Sequence, residues 1–130
     1  MDKAKTEALK NIFRSFPDVK LAYIFGSRAN GEEGPLSDYD FAVYFDLKDK
    51  IRMSDIRFQL SDKLSRELKT DKIDLVVLNM TEGPELKYNI IKDGRVIYEE
   101  EPYKLLFEPM VLNEYFDFRA MLLRHGLTKA

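Results

Sequence analysis

The sequence predicts an α+β domain, on three observations. Apolar residues recur at three- and four-residue spacing in several segments, the period of a helix with one buried face. Between those segments stand short apolar runs of strand length, punctuated by glycine, proline and aspartate. The length, 130 residues, suits one domain and suffices for a core. A single domain over 1–130 is therefore expected, closed by a helical segment over about residues 103–126.

The elements follow in order. Residues 2–16 read as an amphipathic helix, with Ala4, Ala8, Leu9, Ile12, Phe13 and Phe16 as its apolar set and Pro17 as its stop. Leu21 to Phe25 forms a first strand and Phe41 to Phe45 a second, apolar enough to be covered on both faces. A second helix is expected to start near Ser54 as N-cap, with Asp55 in its first turn and Ile56, Leu60, Leu64 and Leu68 as its stripe. Asp74 is read as the first residue of a strand running through Leu75 to Leu78. A short helix over Glu85 to Ile91 stops at Asp93-Gly94. Arg95 to Tyr98 is an edge strand, blunted by the charges of Glu99, Glu100 and Glu101. The last helix is expected from Pro109, at its first position, to His125, with Gly126 as its C′ glycine.

Composition narrows the class. A hydrophobic fraction of 45% with 34% charged residues belongs to a soluble globular chain. No apolar run approaches the roughly 18–20 residues that span a bilayer, and the charged start is unlike a signal region. Membrane association is not expected, and a cytoplasmic location follows. The absence of cysteine removes disulfides and thiolate metal sites. A net charge of −2 argues against direct nucleic-acid binding through a broad basic surface.

The chemistry gathers between the first two strands. Gly26-Ser27 leaves the first strand, three glycines and a proline mark the loop, and Asp38-Tyr39-Asp40 enters the second strand. Glycine lets backbone N–H groups approach a phosphate. Side chains two apart share a face of a strand, so Asp38 and Asp40 point the same way. Asp74, opening a strand expected beside the Asp40 strand, adds a third carboxylate. Three such groups can anchor one or two Mg²⁺ ions at about 2.1 Å, and an acid not fully occupied by metal can take a proton.

Gly-Ser, ten residues, then Asp-x-Asp resembles the signature of the DNA polymerase β-like nucleotidyltransferases, and the short chain is most similar to their minimal members. The resemblance runs from the first strand to Val96–Tyr98. It implies a small mixed β-sheet flanked by helices and transfer of a nucleoside monophosphate from an NTP to a hydroxyl. It further implies Asp38, Asp40 and Asp74 as metal ligands, Asp74 also as base. Gly26 and Ser27 would hold the triphosphate of ATP, with Arg28 as an additional phosphate contact. Minimal members commonly pair with a HEPN-domain toxin, an RNase, and some transfer AMP to a tyrosine of it, so an antitoxin role is implied. Two other readings stand beside this one: a non-catalytic antitoxin that neutralises by binding, and nucleotidyl transfer to a small molecule.

Other residues have plainer readings. Glu32 and Glu33 suit a solvated loop tip. Asp71 competes for the third acidic position; Asp74 is preferred because it abuts Leu75 to Leu78. His125, the lone histidine, fits a helix end better than a base. The aromatic C-terminal helix either packs wholly on the core or turns part of its surface to a partner.

Overall fold

The structure is a computed structural model and describes residues 2–29 and 38–127, the Ser27 side chain excepted. Four strands form one sheet: β1 (Val19–Phe25), β2 (Tyr39–Phe45), β3 (Ile73–Val77) and β4 (Arg95–Glu99), in the order β3-β2-β1-β4. β1 pairs antiparallel with both β2 and β4, and β2 pairs parallel with β3, so the sheet is mixed. The parallel pair needs a long crossover between β2 and β3, and a helix supplies it.

Helices cover both faces. α1 (Lys3–Arg14) and α2 (Lys50–Leu68) lie on one, α3 (Pro84–Asp93) and α4 (Tyr103–Arg124) on the other. Strand alternation sorts the core accordingly. Phe41, Val43 and Phe45 of β2 meet Leu9 and Phe13 of α1 and Ile56, Leu60 and Leu64 of α2. Leu21, Tyr23 and Ala42 meet Ile90 of α3 and Phe107 and Val111 of α4.

α1 starts from an acidic cap, the Asp2 carboxylate accepting from the Lys5 N–H at 2.7 Å. α2 departs from its expected start. Its N-cap is Asp49, which accepts from the Ile51 and Arg52 N–H groups, not Ser54. Lys50 to Met53 are all competent helix formers, and Met53, three residues before Ile56, extends the buried stripe. Packing of that extra turn favours the earlier cap. Ser54 is left exposed on the second turn.

Gly94 ends α3 as anticipated, for a spatial reason. Its φ is an ordinary −76°, yet an added Cβ would lie 2.3 Å from the Ile90 carbonyl oxygen.

The start of the last helix is also corrected. α4 begins at Tyr103, which puts Pro109 inside it. Phe107 and Val111, four apart, enter the core, and Phe107 lies 4.6 Å from the Tyr44 ring. That anchoring holds the first turn helical although proline removes one backbone bond. Further ties fix α4: Tyr23 donates to Glu108 at 2.7 Å, and Lys87 of α3 pairs with Glu114 at 2.9 Å. Pro109 is exposed, so Pro109→Ala should restore the missing bond at no packing cost. The expected gain is about 1–3 kcal/mol, read as a rise in melting temperature.

β4 is an edge strand, and Glu100 beyond it pairs with Lys20 of β1 at 2.7 Å. The hydrogen bond to Glu100, set against partial burial, raises the Lys20 pKa above 10.5. A cation with a raised pKa stabilises the fold fully below its unfolded value and loses that contribution as pH climbs through the folded one. Glu100→Gln should therefore cost at most about 1 kcal/mol at pH 8. Denaturant titrations should show the gap closing above pH 10.5.

Among the described residues no helix is long and apolar enough to cross a membrane.

Candidate active site

β2 and its parallel neighbour β3, an edge strand, bring the acids together. Asp40 is the register partner of Phe25 on β1 and of Asp74 on β3. Neighbouring strands stand about 4.8 Å apart, so Asp40 and Asp74 lie side by side. Alternation puts both on the sheet face that α3 and α4 cover further along. Asp38, exposed and one residue before β2, adds its charge from the same end.

Asp74 is the second residue of β3, not the first, because pairing begins one step earlier: the Lys72 carbonyl accepts from the Tyr39 N–H at 2.9 Å. Asp71 stays outside the strand and exposed, with no register partner on β2.

The electrostatics follow from this crowding. The Asp40 carboxyl is held above its ordinary pKa, first by burial, then by the negative charge of Asp74, then by that of Asp38. Among the described residues, no three carboxylates converge tightly enough as they stand to enclose one ion. The repulsion nonetheless acts between the three acids singled out from the sequence.

Gly26 closes the site on the β1 side. Its φ is +74°, in the left-handed region, and an added Cβ would stand 2.3 Å from Asp40 Oδ2. Only glycine meets both demands. Gly26 opens a single 3₁₀ turn, Gly26–Arg28, closed by an Ala29 N–H bond to the Gly26 carbonyl at 3.1 Å.

Arg28 contacts the residue between the two aspartates. Its guanidinium lies 3.8 Å over the ring of Tyr39, whose side chain occupies the opposite face of β2 from Asp40. Ser27 contributes its backbone to the turn; its side chain, the loop residues Glu32 and Glu33, and Ser37 lie outside the described residues. His125 is the C-cap of α4, its N–H bonding the Met121 carbonyl at 3.2 Å.

Sequence reading passed over Tyr39 and Lys5. Tyr39 is buried, stacks on Phe41, receives Arg28 and lies 3.5 Å from Lys5 Nζ, so it ties the start of β2 to α1. Its place between two aspartates was the available signal, since alternation turns it inward where they turn outward. Lys5 had no such signal; tertiary packing alone brings it there.

Comparison with known proteins extends this description. Protein adenylyltransferase MntA of Aphanizomenon flos-aquae is 32% identical over 96 residues, covering 68% of this chain and 63% of that protein. The match thus spans less than two thirds of that relative's length. A crystal structure of a toxin–antitoxin with AMP-PNP is similar at a TM-score of 0.75 and 26% identity, covering 92% of this chain and 93% of that one. A structure of tri-AMPylated Shewanella oneidensis HEPN toxin in complex with MNT antitoxin has a TM-score of 0.71 and 24% identity over 95% of this chain and 94% of that one, a likeness of fold. Residues 7–103, most of the chain and all of the acidic site, match the polymerase β nucleotidyltransferase family, and this chain belongs to that family.

Proposed function

We propose that this chain is a protein adenylyltransferase. It moves AMP from ATP to a hydroxyl of a partner protein, a tyrosine of a HEPN-type RNase toxin, and so serves as that toxin's antitoxin in the cytoplasm. The observation that carries the reading is the register pairing of Asp40 with Asp74, closed by a glycine whose missing side chain leaves room for the Asp40 carboxylate. Family membership, the named activity of the MntA relative and the AMP-PNP in a toxin–antitoxin structure support it.

Asp38, Asp40 and Asp74 would hold Mg²⁺, one ion or two. Hard carboxylate oxygens suit that cation, and the burial and mutual repulsion that together raise the Asp40 pKa are what a divalent charge offsets. When bound, it would neutralise triphosphate charge and polarise the reacting oxygens. The chain's own part is positional. The backbone of Gly26 and Ser27 would cradle the triphosphate. Arg28 would add a further phosphate contact. Asp74, exposed at the open end of the sheet, would take the acceptor's proton as the hydroxyl oxygen bonds to the α-phosphorus. The bond from that phosphorus to the pyrophosphate oxygen breaks in the same step, and pyrophosphate leaves.

The test uses the chain with its co-purified partner, Mg²⁺ and ATP labelled at the α- or the γ-phosphate. Label on the partner from α-labelled ATP alone is the expected result. Transfer of the γ label would mean a kinase and overturn the reading.

One observation favours a second reading. Leu105, Leu106, Met110 and Phe116 of α4 are exposed, as suits an antitoxin that neutralises by covering its partner. Neutralisation retained without any labelling would select it.

A further inference from the structure

We infer that Tyr39 is a positioning residue for the nucleotide: its ring holds the Arg28 guanidinium in the orientation that meets the triphosphate. This rests on the adenylyltransferase reading above, with Arg28 as a phosphate contact, and names what prepares that contact. Arg28 is the last residue of the Gly26–Arg28 turn, and its guanidinium lies 3.8 Å over the Tyr39 ring. Stacking of this kind engages the flat face of a guanidinium, whereas its N–H donors lie in its plane. The tyrosine therefore orients Arg28 without taking a donor, and in-plane donors have the fork geometry that suits phosphate oxygens.

The platform is rigid because the core holds it. Tyr39 is 6% exposed and stacks on Phe41, with the ring planes 4° apart. Phe41 is fully buried and meets the Phe13 ring of α1 edge-on. Lys5 of α1 donates to the Tyr39 hydroxyl at 3.5 Å, and the Tyr39 N–H donates to the Lys72 carbonyl at 2.9 Å, just ahead of β3. One residue thus joins the turn, α1 and the two strands at which the acids stand. Its chain neighbours are Asp38 and Asp40, so a ring fixed in the core fixes Arg28 relative to both. An arginine has many rotamers to lose on binding, and restricting them beforehand raises affinity. A leucine at position 39 would fill the core as well; only an aromatic ring presents a π face to the cation.

Calorimetric binding of AMP-PNP to the chain in the presence of Mg²⁺ tests the assignment. Tyr39→Leu should weaken binding about tenfold, which is about 1.4 kcal/mol. Tyr39→Phe keeps the ring and should stay within about twofold of wild type. Arg28→Ala should cost at least as much as Tyr39→Leu. In the Arg28→Ala background, Tyr39→Leu should then add less than about twofold, because the ring acts through Arg28. Fluorinated phenylalanines at position 39 keep the shape while withdrawing charge from the π face, so they report even if Tyr39→Leu does not fold. Affinity should fall stepwise with the number of fluorines when Arg28 is present and stay level when it is alanine. Additive losses, a fluorine effect that persists without Arg28, or full affinity in Tyr39→Leu overturns this assignment alone. Failure of the wild-type chain to bind AMP-PNP overturns the adenylyltransferase reading, and the assignment with it.

Discussion

Replacing Asp38 and Asp40 together by alanine should lower adenylyl transfer about 10³-fold or more. Each carboxylate would supply charge that holds the cation against the triphosphate. Loss of one well-placed electrostatic group in an active site typically costs 10²–10³-fold, and losing two ligands of one ion should cost no less. Folding should survive. The Asp40 carboxyl has a raised pKa, so the folded state binds its proton more tightly than the unfolded chain does. Stability is then drawn down as pH rises through that folded value, and at neutral pH the ionised group opposes folding. The double variant lacks this opposition. Thermal unfolding at pH 7 should show an unchanged or higher melting temperature in the absence of Mg²⁺. A large drop instead would mean that the acids hold the fold together, contrary to the proposed role.

Gly26→Ala should also cost activity, through a different route. A Cβ at position 26 would stand 2.3 Å from Asp40 Oδ2, far inside contact distance, on a backbone with φ +74°. The left-handed conformation alone costs an L-residue roughly 1–2 kcal/mol. Relief of the clash must come from the carboxylate, which is half-buried and cannot swing freely. A displacement on the order of 1 Å at reacting groups can cost about 10²-fold in rate. Transfer should therefore fall about 10²-fold with a stability loss of only about 1–2 kcal/mol. Measured together, rate and denaturant midpoint separate this from unfolding. Activity near wild type would show that Asp40 can move without consequence.

Both effects concern residues that could be named from the chain alone. Gly26-Ser27 and Asp38-Tyr39-Asp40 are close in sequence, and their proposed roles follow from local rules: glycine at a tight exit from a strand, carboxylates two apart on one face. The elements were equally legible wherever a local period carried them, as in α1 and the stripe of α2. The misplacements share one cause. Positional preference alone places the starts of α2 and α4 at Ser54 and Pro109, whereas the helices begin at Lys50 and Tyr103. In each case a side chain upstream, Met53 or Phe107, finds a place in the core. Burial of one such side chain, about 1.5–3 kcal/mol, outweighs a cap preference of about 1 kcal/mol.

What the chain determined by itself is the local chemistry: which acids, which glycine, which faces are apolar. What only the tertiary structure decided is adjacency. That Asp74 and not Asp71 stands beside Asp40 is a matter of register, which the parallel pairing of β2 and β3 settles one residue at a time. That Arg28 lies on Tyr39 depends on the turn after β1. That β3 is an edge, putting Asp74 on an outer strand, depends on strand order. The physical reason is common to all three. Local preferences act through neighbours in the chain, whereas adjacency is fixed by burying both faces of the sheet at once, a condition no single segment can express.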